Sequence, residues 1–157
     1  MMDAVAIAGL YSSRYQERYG SRIDEMKLHK LLYLVQRESL IRTGRPLFSE
    51  SILAWQFGPV IAEVRNAYKR GDLDSGACGC LVRDSLEKDI LDTVFESYAG
   101  KSSWSLSRLT HAEYSWRNAR VSCTSGGGHR VMSISDIAKD AKRIASRRTA
   151  LRALGLS

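Results

Sequence analysis

Cysteine and histidine are the residues of this chain with the most reactive side chains, and the sequence contains three of each. Cys78, Cys80 and Cys123, with His111 or His129, could supply the four sulfur and nitrogen ligands of a tetrahedral zinc site. Zinc sites separate paired cysteines by roughly two to four residues so that both sulfurs reach one ion. Only one residue separates the first two cysteines here. We therefore predict ordinary loop thiols and no metal site.

A cysteine nucleophile is the second chemistry that these residues could support. Cys123 could be activated by His111 or His129, because a thiolate needs only a nearby base and an orienting group. The sequence shows neither a strand-to-helix nucleophile turn nor an oxyanion-hole signature. Residues 126–130 resemble a phosphate-binding loop but lack its Gly-Lys-Ser/Thr ending, and we interpret them as a flexible loop. These observations predict a protein that is not an enzyme and has no cofactor.

The composition is that of a globular protein with an excess of positive charge. The 157 residues are 44% hydrophobic and 26% charged, which suits one domain over residues 1–157. The formal charge of +7 favours acidic protein surfaces or nucleic acid as partners. The odd cysteine count, and the absence of a signal peptide and of a long apolar stretch, predict a cytoplasmic protein with no membrane partner.

Helical periodicity and capping residues predict a mainly α-helical fold of about six helices. A first helix spans about Asp3–Tyr19, and a second begins after Asp24 and ends near Thr43. Lys27 and Lys30 lie outside the apolar stripe of this second helix, so we expect them to be accessible. That stripe consists of Leu28, Leu31, Leu32 and Val35.

The middle of the chain predicts a short strand followed by a helix. Residues 52–57 are aromatic and β-branched, which favours a brief strand, and a second short strand near residues 80–82 could complete a β-hairpin. Pro59 has a backbone angle suited to the first turn of a helix, so we expect a third helix from there to about Arg70.

Further helices are predicted in the second half of the chain. A fourth helix begins at the capping sequence of residues 84–87, and a fifth spans about residues 103–109 with Trp104 and Leu109 pointing inward. Residues 110–116 have no clear periodicity and are predicted to be irregular.

The last predicted helix, about residues 134–153, is strongly basic. Lys139, Arg143 and Arg147 are spaced four residues apart, on a face separate from its apolar residues. This face could follow the phosphates of nucleic acid or contact an acidic partner, whereas a merely solvated charged face is the simpler interpretation. No aromatic residues alternate with these charges, so stacking on single-stranded nucleic acid is not indicated.

Tryptophan and phenylalanine carry the largest apolar side chains. Trp55 and Phe57 flank the tight Gly58-Pro59 sequence, and we expect both in the core. Trp116 lies in the segment predicted to be irregular, which favours an exposed edge that could anchor a partner.

Four blocks of this sequence resemble the Panacea antitoxin domain, the family of SocA-like antitoxins and of phage-associated GepA-like proteins. They occur in the family's order across about residues 20–120, and four ordered blocks are far more specific than one. The blocks are Lys27–Tyr33 with Gln36, Thr43–Phe48, Ala54–Val60 with Glu63, Val64 and Tyr68, and Leu106 with Leu109–His111 and Trp116.

The resemblance implies a small helical protein that neutralises a toxin encoded beside it, usually by direct binding. In the SocA-like case it implies an adaptor that delivers the toxin to an ATP-dependent protease, for which residues 151–157 could be a docking tail. The positions expected to contact or support the partner are Lys27, Lys30, Gln36, Gln56, His111 and Trp116. The positions expected to maintain the fold are Leu31, Leu32, Tyr33, Trp55, Phe57, Gly58 and Pro59.

Overall fold

The computed structural model describes residues 1–74, 84–121 and 130–156, and these residues confirm a mainly α-helical fold. None of the helices in this part of the chain combines the length and hydropathy needed to cross a membrane. The helices are α1 (Ala4–Tyr19), α2 (Glu25–Thr43), α3 (Ala62–Arg70), α4 (Ser85–Tyr98), α5 (Ser103–His111), α6 (Tyr114–Val121) and α7 (Ile134–Ala153). The strands are β1 (Leu53–Trp55), β2 (Gly58–Val60) and β3 (Arg130–Val131), which form an antiparallel sheet in the order β2-β1-β3.

Helix α2 runs through the centre of the fold. It packs against α1, α3, α4, α5 and α7, and every residue from Lys27 to Leu40 is buried. The prediction that Lys27 and Lys30 are accessible is therefore wrong. The Lys27 ammonium group donates to the carbonyl oxygen of Ala99 at 3.0 Å and to the hydroxyl of Tyr15 at 3.3 Å, whereas Lys30 is covered by β2. A helix enclosed by neighbours has no solvent-facing side, whatever its apolar stripe suggests.

Local capping interactions define the helix ends that the sequence predicts. The Asp3 and Asp24 carboxylates accept hydrogen bonds from backbone N–H groups in the first turns of α1 and α2, and Asp84 does the same for α4. Gly20 and Gly44 end α1 and α2 in the left-handed conformation, each with a φ of 71°. The predicted limits of these helices are thus confirmed.

The predicted start of the third helix at Pro59 is wrong. Pro59 lies in β2 and pairs with Ala54 of β1, so the predicted strand becomes a hairpin closed by Gln56 and Phe57. Helix α3 begins only at Ala62. The strand predicted near residues 80–82 lies outside the described residues, and β3 is the partner on the other side of β1.

The segment after α5 is helical, where the sequence predicted irregular structure. Helix α6 is capped across the chain, because the Asp140 carboxylate of α7 accepts from the backbone N–H groups of Tyr114 at 2.8 Å and Ser115 at 3.0 Å. The predicted inward orientation of Trp104 is also wrong, since this side chain is 65% exposed, whereas Leu109 packs against the core.

A buried polar network joins α2 to the α5–α6 connection and to α7. The Tyr33 hydroxyl lies 3.0 Å from Oε2 of Glu113 and 3.3 Å from Oδ2 of Asp140, and Nη1 of Arg37 donates to Oε1 of Glu113 at 2.6 Å. Burial raises the pKa of the Glu113 carboxyl, while the charge of Arg37 opposes that rise. Arg37 therefore compensates a carboxylate that would otherwise be costly to bury.

We expect Arg37→Met to lower the free energy of unfolding by roughly 3 kcal/mol, because it leaves the buried Glu113 charge with only the exposed Arg143, at 3.5 Å, as a cation. Urea denaturation measures the loss. Arg37→Met/Glu113→Gln should recover part of it, since the uncompensated charge is then gone. Arg18→Met, which removes an exposed pair with Glu96, serves as control and should leave stability nearly unchanged. A double variant no more stable than Arg37→Met would contradict this account.

Candidate functional site

A cavity lies beside the first half of α2. Its volume is about 660 Å³, and it opens between α2, the β1–β2 hairpin, α3 and α6. Both apolar and charged side chains line it, a mixture typical of sites for organic ligands or peptide segments. The residues that define it best are His29, Lys30, Trp55, Phe57, Arg65 and Arg120.

Hydrogen bonds from α5 and α6 hold the β1–β2 hairpin over this cavity. The Ser107 hydroxyl of α5 donates to the carbonyl oxygen of Phe57 at 2.9 Å. Nε1 of Trp116, on α6, donates to the carbonyl oxygen of Trp55 at 2.9 Å. Because these bonds fix the backbone on both sides of the turn, the turn side chains have a defined direction.

Gly58 allows the hairpin to pass directly over Lys30. Its φ of 121° is strained for residues with a side chain. A Cβ atom at this position would lie 2.6 Å from Cε of Lys30 and 3.1 Å from Oγ1 of Thr110. The glycine is therefore required both by the backbone angle and by the close approach.

We expect Gly58→Ala to destabilise the protein more than Gly20→Ala does. The Gly20 change introduces positive-φ strain alone, about 1–2 kcal/mol, since nothing lies within 4 Å of the new Cβ. The Gly58 change adds a clash with Lys30 and Thr110. Thermal unfolding of both variants measures the difference, and equal losses would contradict the steric argument.

Lys30 brings a buried amine to the wall of the cavity. Its side chain is 1% exposed and lines the cavity, and its ammonium group makes no hydrogen bond or ion pair within the described residues. Burial lowers the pKa of Lys30 to about 8, while the nearby carboxylates of Asp24 and Glu25 limit the decrease. A buried ammonium group retains three donors that would gain from an acceptor.

His29 beside it is neutral and has a defined tautomer. Its Nδ1 accepts from the backbone N–H of Ile61 at 3.2 Å, so Nε2 carries the hydrogen and donates to Glu25 at 3.1 Å. Burial lowers the pKa of His29 to about 4, although the Glu25 charge partly opposes this. Glu25 also pairs with Arg65 at 3.0 Å, so it orients one cation and one imidazole at the cavity.

His29 makes stability depend on pH. Because its pKa is lower in the folded than in the unfolded state, acid protonates the unfolded chain first, and stability falls as the pH drops below about 6.5 towards 4. We expect this group to account for a loss of about 2 kcal/mol between about pH 7 and about pH 5. Urea denaturation at both pH values measures it. His29→Gln should have a correspondingly smaller pH dependence, and an unchanged dependence would contradict the assignment.

Two exposed aromatic side chains contact each other beside the cavity, and one of them, Phe57, lines it. Phe57 is 48% exposed and Trp104 is 65% exposed, and their rings meet edge to face at 6.2 Å between centroids. The prediction that Phe57 is a core residue is therefore wrong, because its position in the turn directs it outward. The sequence pattern did not predict Trp104 as a functional residue, because Trp104 was expected to point inward. The available signal was its position about 200° around the helix from Leu106, on the opposite face.

The structure brings some of the six predicted contact residues together and separates others. His111 stacks on Trp116 with 4.1 Å between ring centroids, and both support the hairpin near the exposed Gln56. Trp116 is half-buried, and its indole N–H is used within the fold. Gln36 is fully buried and bonds the backbone of Leu47 and Phe48, so it stabilises the fold away from this surface.

The basic face of α7 is partly occupied by internal pairs. Lys139 lies 3.4 Å from Asp136, and Arg143 lies 3.5 Å from the buried Glu113. Arg147 is exposed. The predicted charged face therefore exists, but two of its three cations have carboxylate partners.

The predictions about metal and thiol chemistry depend largely on residues outside the described part. Cys78, Cys80, Cys123 and His129 belong to the ranges 75–83 and 122–129. Among the residues that the structure describes, no group of three or more histidine, cysteine, aspartate or glutamate side chains could hold a metal ion.

The comparison with known families concerns the elements around the cavity. Residues 28–77 match the family model described as Antitoxin SocA-like, Panacea domain. This match confirms the resemblance over residues 28–77, which we call the Panacea segment, whereas the predicted block at residues 106–116 lies outside it. The segment contains most of α2, the β1–β2 hairpin and α3, and therefore Lys30, Phe57 and Arg65. No curated protein and no solved structure matches the chain.

Proposed function

We propose that this protein is an antitoxin that neutralises a protein toxin by direct, non-catalytic binding in the cytoplasm. The Panacea segment supports the antitoxin role, because its family is described as SocA-like antitoxins. We further propose that the toxin-binding surface comprises Gln56, Phe57 and Trp104, which we call the aromatic rim.

The exposed pair Phe57 and Trp104 is the observation that carries this proposal. Aromatic residues are enriched at the centres of protein interfaces, where a few of them contribute most of the binding energy. Two large apolar side chains from separate elements are here presented side by side, and the hairpin beneath them is held by hydrogen bonds. A preorganised surface loses less conformational entropy on binding.

The charge of the protein suits an acidic toxin surface. The formal charge is +7, Arg65 and Arg120 line the cavity, and the exposed Arg108 follows Trp104 by four residues on α5. Such charges raise the rate of association more than the final affinity. Binding should therefore become slower, rather than disappear, when salt is added.

Two alternatives from the sequence analysis have weaker support. An adaptor for a bacterial ATP-dependent protease would need an exposed docking segment, and Leu154 and Leu156 are 72% and 64% exposed. A nucleic-acid-binding protein would use Lys139, Arg143 and Arg147, two of which already lie near carboxylates.

The proposal is tested by co-expressing the chain with the product of the adjacent gene. We expect this chain to relieve growth inhibition by that product and to co-purify with it. Phe57→Ala and Trp104→Ala should each weaken binding by about thirtyfold, equivalent to about 2 kcal/mol, as for central interface residues. Affinity is measured by calorimetry on the purified pair.

Leu86→Ala provides the matched control, because Leu86 is 41% exposed at the start of α4, near the opposite end of α2. It should retain full affinity. A harmless neighbour that forms no complex would overturn the antitoxin proposal. Full affinity in the folded Phe57→Ala/Trp104→Ala variant would overturn the assignment of the surface.

The half-life of the toxin in the same cells distinguishes direct neutralisation from proteolytic delivery. We expect the toxin to persist in the complex, with an unchanged half-life after synthesis is stopped. A toxin half-life that shortens only when this chain and a protease are both present would instead favour the adaptor.

A further inference from the structure

We propose that the cavity beneath the aromatic rim binds a carboxylate group attached to an aromatic or apolar side chain, with the ammonium group of Lys30 as its partner. The identification of this group with part of the toxin rests on the proposed function. The binding site itself does not, because it follows from the cavity and its lining residues.

Lys30 is the first reason for this proposal. A lysine that is 99% buried normally has acceptors for its donors, yet Lys30 has none within the described residues. Lys27, one turn earlier on the same helix, shows the contrast, because it donates to Ala99 and Tyr15. Lys30 instead lines the 660 Å³ cavity, where a bound acceptor can reach it.

The charges around the cavity favour a ligand with a single negative charge. Three cations, Lys30, Arg65 and Arg120, line it together with two carboxylates, Asp24 and Glu25, and His29 is neutral. One positive charge therefore remains uncompensated. A carboxylate, with one negative charge, matches this balance, whereas a doubly charged phosphate would leave the cavity with a net negative charge.

The other lining residues favour a carboxylate that is attached to an apolar group. Met26, Trp55, Phe57 and Val60 give the cavity a largely apolar lining, and it is continuous with the exposed ring of Phe57. A volume of about 660 Å³ exceeds the needs of a small inorganic anion and lies within the range of organic ligand sites. A carboxylate beside an apolar group occurs at the C-terminus of a chain that ends in an apolar residue, and also where a glutamate precedes or follows an apolar residue.

The test uses N-acetyl-L-phenylalanine as the probe and its neutral amide as the matched ligand. Both carry the same ring, and only the first carries a carboxylate. We expect the acid to bind at least about tenfold more tightly than the amide, because a charge-assisted hydrogen bond is lost in the amide. Two-dimensional NMR titration gives both affinities and shows whether the backbone signals of Gln56–Gly58 shift.

Lys30→Met and Lys27→Met complete the test. Lys30→Met should remove the preference for the acid, and because it deletes a buried charge without a partner, it should keep or raise thermal stability. Lys27→Met removes a lysine that is bonded inside the fold, so it should lower stability while keeping the preference for the acid.

Equal affinities for acid and amide in the wild-type protein would overturn the proposal, as would failure of both to bind or a preference retained in Lys30→Met. A loss of stability in Lys30→Met as large as in Lys27→Met would assign Lys30 a purely structural role. A failed titration with intact toxin binding would reject only the cavity site. A successful titration with no toxin would reject only the antitoxin proposal.

Acidic peptides then distinguish the two sources of the carboxylate. A peptide ending in free phenylalanine represents a chain terminus, and an amidated peptide with Glu-Phe represents a side chain. Binding of either one supports the carboxylate site and identifies its source. Binding of neither, when N-acetyl-L-phenylalanine binds, would overturn the inference that a protein segment is the ligand.

Discussion

The burial of α2 on all sides is the constraint on which the rest of this structure depends. A central helix must satisfy every polar side chain that it carries, because a buried group without a partner costs roughly 1–3 kcal/mol. Four polar residues of α2 therefore reach different neighbours. Lys27 donates a hydrogen bond to the backbone at the end of α4, and Gln36 bonds the backbone that follows α2. Arg37 pairs with Glu113, and Glu38 pairs with Arg148 of α7. These bonds fix how the surrounding elements are placed.

A series of hydrogen bonds connects the buried network around Tyr33 with the β1–β2 hairpin. Asp140 of α7 caps α6 and also accepts a hydrogen bond from the hydroxyl of Tyr33 on α2. Helix α6 in turn carries Trp116 and Arg120, which donate to the carbonyl groups of β1. The direction of the β1–β2 turn thus depends on a chain of contacts that begins inside the core. A substitution in the buried network should therefore change the orientation of the Phe57 side chain, although none of the hydrogen bonds given above for that network involves Phe57 directly.

Lys30 is a buried charged residue of α2 whose ammonium group lacks a hydrogen-bonding partner among the described residues. The fold encloses its stem under Gly58, although the ammonium group has no acceptor among the described residues. Proteins tolerate such a cost where the group serves a function, and sequence features that contradict local rules concentrate at functional sites. The exposed aromatic rim beside the same cavity is a second departure, because large apolar side chains are more often buried. Both departures meet at one surface, within or next to the Panacea segment.

The sequence by itself determined the limits of α1 and α2, the start of α4 and the family resemblance of residues 28–77. Caps and left-handed glycines act within a few residues, so local sequence contains all the information they need. Only the tertiary structure decided that Lys27 and Lys30 are buried, that α6 is a helix and that Phe57 is exposed. Burial depends on elements far away in the chain, as the capping of Tyr114 by Asp140 shows, and periodicity along one helix cannot reveal how many of its faces are covered.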